Sequence, residues 1–364
     1  MLLMSNDKRR LFFVDIMRIV CVFLIYMRHS ITMFGCSFGQ WTNGLILEMT
    51  SPVMTCFFIL SGFSIHYQHG SEEITAGWTR AYIKKKLISI MPSYFLVALI
   101  WPVVYPDQFR TWALLLPIDL VGAQTTYRTL FGILHNGGTW FVSCLLLAYL
   151  LYPSMKAVLA ERKRAAIVVL VFTHFILMYS HLIIREFSLD KLYSNPIART
   201  AEFLIGVAFA EALFFQASTI DDHSTKQSVD RRNKNRNIGL VILVLLLISV
   251  ILSIAFHEGK RVSVFTFFPV PGILIGLWIS ATAHCDFFEN NKIISMLSAI
   301  SYQFFLMQLF LWKLSAFVLK VMGVEDINVI KLVVSFVLCL TLSYLVWRLY
   351  DKPIRGFLSK KLLS

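Results

Sequence analysis

Asp15, Arg18 and His29 lie within one apolar stretch, residues 11–34. If that stretch crosses a bilayer, it carries ionisable groups into hydrocarbon. Such a group at a helix centre costs at least ~2.5 kcal/mol on insertion scales, so its position marks a functional site by default. Arg18 and His29 are separated by about three helical turns plus ~20°, which puts them on one face about 16 Å apart along the axis. Asp15 precedes Arg18 at the i,i+3 spacing where helical side chains meet and pair. The chemistry available is specific. An imidazole titrates near neutrality and can act as general base or as nucleophile. A guanidinium presents a planar fork to a carbonyl or a phosphate, and a neighbouring carboxylate fixes its rotamer. The plainer alternative is an Asp–Arg anchor near one end of the span with a hydrogen-bonded structural histidine.

Other polar groups in apolar surroundings carry weaker signals. Lys84, Lys85 and Lys86 precede Ile90-Met91-Pro92-Ser93-Tyr94; they suit the phosphates of a soluble anionic donor as point charges, or anchor topology beside anionic lipids. Ser61, in Phe57-Phe58-Ile59-Leu60-Ser61-Gly62-Phe63, belongs to a packing notch or to a donor site. Trp140 opens a later span and fits an aromatic belt or a cavity wall. Arg199 and Glu202 are spaced as an intrahelical pair, which serves structure or shapes a carbohydrate site. Tyr302 and Gln308 are polar groups within a span, where such groups need partners and often face a cavity. His174 and His181 share a helix face without an acidic or thiol partner at ligand spacing, so no metal site is expected. The six cysteines form no CxxC pair and read as small buried hydrophobes.

These residues need a membrane scaffold to position them. The chain has 364 residues, 57% of them hydrophobic, and a mean hydropathy of +0.69. Runs near 11–34, 44–68, 88–105, 138–155, 165–183, 197–217, 238–257, 264–283, 293–319 and 330–350 are apolar enough to cross a ~30 Å core. They predict an all-α integral membrane protein, a bundle of about ten transmembrane helices in a single domain over 1–364. The piece 111–122, with Pro117 and Asp119, reads as interfacial or re-entrant. The first run is too long and too charged for a cleavable signal peptide. A net charge of +13 does not indicate nucleic-acid binding, because the basic residues cluster in alternate loops. About twenty Lys/Arg fall on one side against about eight on the other, the positive-inside pattern that places both termini in the cytoplasm. The polar stretch 218–237 then reads as a cytoplasmic loop. No phosphate-binding glycine loop or dinucleotide fingerprint is present.

In order along the chain, these motifs resemble the acyltransferase 3 family of integral membrane acyltransferases. The likeness rests on Asp15, Arg18 and His29 in the first span, the Phe57–Phe63 segment, and the basic cluster with Pro92-Ser93-Tyr94. It continues through Thr139-Trp140-Phe141 with Tyr149 and Pro153, Arg199 with Gly206, and Ser301-Tyr302. The resemblance implies transfer of an acyl group, usually acetyl, from cytoplasmic acyl-CoA to a hydroxyl of a lipid-linked or polymeric glycan such as O-antigen, exopolysaccharide or capsule. It implies a multi-pass protein of the bacterial inner membrane, with no permanently bound cofactor. The histidine matching His29 is catalytic in that family, and the arginine matching Arg18 is essential. The chain departs from the family pattern in several places. Lys86 and Ser89 stand where two arginines are usual, Leu145 stands at a frequent glutamate, Gln308 replaces a late histidine, and Asp351 replaces a glutamate. A cavity running from Lys86 past Arg18 to His29 is expected. The competing class is a secondary transporter or flippase, which broken spans in corresponding places of two halves would mark.

Overall fold

The computed structural model describes residues 11–32, 34–123, 125, 139–183, 193–211, 236–249, 251, 269–282, 291–324 and 328–363. The regular structure of the described residues is helical, with no strand among them. In chain order the helices are α1 (Phe12–Thr32), α2 (Gln40–His69), α3 (Ala76–Val104), α4 (Phe109–Leu120) and α5 (Trp140–Ile183). They are followed by α6 (Pro196–Ala210), α7 (Arg236–Ser249), α8 (Pro269–Thr282), α9 (Lys292–Val321), α10 (Asn328–Val346) and α11 (Lys352–Leu363). Five described helices are long and apolar enough to cross a membrane; α10 and α11 count together as Val329–Leu363. Most of the loop expected at 218–237 lies outside the described residues.

Two boundaries differ from the sequence reading for local reasons. α3 begins at Ala76, twelve residues before the apolar run, because Thr75 caps it by accepting from the Trp78 amide at 3.0 Å. Lys84, Lys85 and Lys86 are therefore helical rather than in a loop. A break expected between 155 and 165 is absent: α5 continues through Ser154-Met155-Lys156-Ala157-Val158-Leu159-Ala160-Glu161-Arg162-Lys163-Arg164, which contains no Gly or Pro. By contrast α4, at twelve residues, is about 18 Å long and too short to cross the core. It is held against α3 by a bond that proline creates. Pro102 has no N–H for the Ala98 carbonyl, and the Trp112 indole donates to that carbonyl at 2.7 Å.

The tightest helix contact is between α2 and α6. A Cβ on Gly62 would lie 1.9 Å from the Phe203 carbonyl oxygen, and one on Gly206 would lie 2.0 Å from that of Ile59. Small residues at these facing positions let the two backbones touch, the packing mode available where no hydrophobic force joins helices. α1 lies between α2 and α9, running parallel to α9, since Asp15 meets Ser298 near one end and Phe34 stacks on Trp312 at 4.7 Å near the other. α11 folds back on α3, tied by Tyr350 donating to the Pro92 carbonyl at 3.1 Å and Lys84 donating to that of Leu362 at 2.8 Å. α7 leaves Leu240, Val241, Val244 and Leu247 exposed, as a helix solvated by hydrocarbon would.

Candidate active site

The face of α1 read from spacing forms as expected and turns toward α9. Asp15 is buried, and its Oδ1 accepts from Ser298 Oγ at 2.6 Å. Arg18 stands 3.6 Å from the same oxygen and donates to Ser298 Oγ at 3.4 Å. The carboxylate and the serine, bonded to each other, thus both meet Nη1 of the guanidinium, while a third of the side chain stays open.

What Arg18 opens onto is a cavity of about 320 Å³, at the small end of ligand-pocket sizes. Its wall changes character along the bundle. Arg18, Ser298, Ser301 and Tyr302 line one end with Ser61, Ser89, Tyr149 and Arg355; Val22, Phe57, Phe141, Leu145 and Phe305 line the other. The change runs the same way on four helices: from 18 to 22 on α1, 301 to 305 on α9, 61 to 57 on α2 and 149 to 141 on α5. A polar head fits one end and an apolar arm the other.

Phe57, Phe141 and Phe305 touch one another, with centroids 5.8, 6.4 and 5.2 Å apart. They close the apolar end. His29 lies beyond them, two turns past Val22 on α1, and is not in the cavity wall. The continuous passage from Lys86 to His29 expected from the sequence is therefore corrected. Three contacting phenylalanines stand in the cavity wall and His29 does not, and axial spacing on one helix carries no information about what neighbouring helices insert there. His29 itself is half-buried beside the Gln308 amide. Gln308 donates through Nε2 to the Phe305 carbonyl at 2.9 Å. Its Oε1 and the His29 Nδ1 are both buried without a hydrogen bond among the described residues.

The remaining candidates separate. Ser61 and Tyr302 reach the cavity; Tyr302 donates to the Ile90 carbonyl at 3.2 Å, and Ser61 to that of Phe57 at 2.7 Å. Lys86 sits outside the wall, 5.6 Å from the ring centre of Tyr149, which is in it. Lys85 is exposed, and Lys84 is engaged with the end of α11. Trp140, Arg199 and Glu202 do not line the cavity. Arg199 binds Glu202 at 2.7 Å and the Tyr193 carbonyl at 2.7 Å, while Thr55 donates to Glu202 at 2.8 Å. Trp140 packs on Tyr193, centroids 5.0 Å apart. These groups tie α2, α5 and α6 together.

Sequence reasoning missed Arg355, which enters the cavity from α11, and Ser298, which bonds the first pair. It also missed a polar cluster at the far end of α2. There His66 bridges Tyr152 (3.1 Å) and Glu211 (2.6 Å), and Lys156 donates to the His69 and Glu72 carbonyls. Only Arg355 carried a local signal, an Asp four residues before it at helical pairing distance. Among the described residues no group of His, Cys, Asp or Glu is arranged to hold a metal ion.

Residues 11–348 match the model of the acyltransferase domain that defines the acyltransferase 3 family. No curated protein and no solved structure matches the chain.

Proposed function

This chain belongs to the acyltransferase 3 family, and from that premise we propose that it moves an acyl group, acetyl in the simplest case, from cytoplasmic acyl-CoA to a hydroxyl of a cell-surface glycan. It is a membrane acyltransferase; the donor, the acceptor, a ten-span topology with both termini inside and residence in a bacterial inner membrane are part of this proposal. The observation that carries it is Arg18, oriented by Asp15 and Ser298 in the wall of an internal cavity with one polar and one apolar end.

In this reading the guanidinium meets the charged or carbonyl part of the donor, and the apolar end receives the arm bearing the thioester. Lys86 adds a positive charge near the polar end. His29 supplies the proton chemistry. As general base it takes the acceptor hydroxyl proton while the oxygen attacks the thioester carbon; the C–S bond breaks, and the proton passes to the departing CoA thiolate. As nucleophile it first forms an acyl-imidazole, releasing CoA, which the acceptor oxygen then opens. The unbonded Nδ1 of His29 and Oε1 of Gln308 support one tautomer in either route. An Nδ1–H turned to that oxygen leaves Nε2 as the basic, nucleophilic atom. Either route requires the Phe57–Phe141–Phe305 contact to part, because the acyl carbon must reach His29.

His29→Ala tests the reading. In cells making equal amounts of folded wild type and variant, glycan acyl content by mass spectrometry is expected to fall to background. Wild-type acylation in the variant would remove His29 from the chemistry.

A further inference from the structure

Arg18 is not the only arginine that the cavity receives. Arg355, on the terminal helix α11, lines the same polar end, and it is held in a parallel way. Its Nε pairs with Asp351 Oδ2 at 2.6 Å, one turn earlier. The other carboxylate oxygen, Oδ1, accepts from Ser93 Oγ at 2.6 Å, and Ser93 in turn accepts from Gln303 Nε2 at 3.2 Å. Asp351 is fully buried although it borders a charged helix. The π-helical turn Trp347–Asp351 produces that placement, since one wider turn rotates Asp351 inward between α3 and α9. Each arginine thus pairs with a buried aspartate that in turn accepts from a serine of a neighbouring helix: Asp15 from Ser298, which also meets Arg18, and Asp351 from Ser93, which does not touch Arg355.

Each carboxylate neutralises part of one guanidinium, yet both side chains keep close to a third of their surface open, 33% for Arg18 and 29% for Arg355. A fork oriented by one carboxylate retains N–H donors for a second anion. Two such forks in the wall of one small cavity, together with serine and tyrosine hydroxyls, suit an anion bearing two adjacent phosphates. One guanidinium takes each phosphate in charge-assisted pairs.

The geometry points to a diphosphate-binding site formed by Arg18 and Arg355, with Asp351 and Ser93 as positioning residues. This inference rests on the acyl-CoA reading for its ligand: the diphosphate is that of CoA, and its pantetheine arm runs toward the phenylalanines. Arg355 lies beyond residues 11–348, so the family match does not assign it. It also gives α11 a task. The contacts from Lys84 and Tyr350 that fasten this helix to α3 hold Arg355 over the cavity.

Binding to the purified full-length protein in detergent tests this, with four probes: CoA, pantetheine, inorganic diphosphate and farnesyl diphosphate. Wild type should bind CoA, and inorganic diphosphate should compete with it. Arg355→Ala and Arg18→Ala should each weaken CoA about tenfold or more and leave pantetheine, which has no phosphate, unchanged. Arg355→Lys should lie between, since charge remains but the fork is lost. Asp351→Asn should lower the ratio of CoA to pantetheine affinity, a ratio that loss of folding alone would not move. Equal CoA binding by wild type and Arg355→Ala overturns the site. Arginine-dependent binding of inorganic diphosphate without any CoA binding would support the anion site and overturn the acyl-CoA reading. Arginine-dependent binding of farnesyl diphosphate but not CoA would overturn the assignment to the donor and place a lipid carrier's diphosphate there.

Discussion

Asp15–Arg18 on α1 and Arg199–Glu202 on α6 share the i,i+3 spacing, but the first pair stands 3.6 Å apart with Arg18 one-third open, and the second at 2.7 Å with both side chains 2% exposed. Around Arg199 the space is filled by protein. Nη1 donates to Glu202 and Thr55 and Nε to the Tyr193 carbonyl, while Nη2 is buried without a hydrogen bond among the described residues; the rings of Phe58, Trp140 and Tyr193 surround the guanidinium. Around Arg18 the protein supplies a carboxylate and a serine, then a cavity. An ion pair walled in on all sides by protein leaves no room for a ligand. A pair with one open side has that room. The lesson is that exposure to a cavity, not spacing, separates an intramembrane arginine that holds helices together from one able to meet a substrate.

The contrast can be broken by mutation. Glu202→Ala should have the largest effect on stability, about 3–5 kcal/mol, because it strands a buried arginine. Replacing both partners, Arg199→Met with Glu202→Leu, should recover most of that loss. Thermal unfolding of the purified protein measures both, and a single variant as stable as wild type would show that the pair is not structural. Gly206→Ala should rank next, at about 1–3 kcal/mol, the usual range for overpacking, since the added Cβ meets the Ile59 backbone at 2.0 Å. A stability loss at Gly206 without loss of acylation would sharpen the division between the α2–α6 seam and the cavity. Arg18→Ala should cost at most ~1 kcal/mol of stability, after discounting for its partial exposure, while acylation falls to background. If instead its unfolding midpoint drops as far as that of Glu202→Ala, the two pairs are alike and the comparison fails.

A third carboxylate sets the lower end of the scale. Glu72 lies in the turn after α2. Burial raises its carboxyl, but hydrogen bonds with Trp78 and His69 and the charge of Lys156 outweigh that and hold it below the usual range. Its contribution is fully present above the unfolded carboxyl value and is lost as pH falls through the lower folded value. The side chain is 43% exposed, so the effect should be small. Unfolding midpoints followed from neutral to acid pH should decline slightly less in Glu72→Gln than in wild type, and identical curves would show that the turn is not stabilised by this charge.

The sequence alone made the membrane class, the α1 face and the family motifs legible, because these depend on local quantities: the length of an apolar run, a 3.6-residue period, the identity of residues in order. It placed Asp15 beside Arg18 correctly for the same reason. It could not distinguish Arg199 from Arg18, because the difference lies in what other helices bring. Ser298 reaches Asp15 across 283 residues of chain, and Ser93 reaches Asp351 across 258. Nor could it find the three phenylalanines between Arg18 and His29, which come from α2, α5 and α9. Arg355 was overlooked because a charged helix following an apolar one reads as a solvated end, and only the π-helical turn brings it back to the cavity. Periodicity decides which residues share a face. Which faces meet, what they bury and where they leave space is fixed only when helices distant in sequence pack, because burial and hydrogen-bond satisfaction belong to the assembled bundle and not to any one segment.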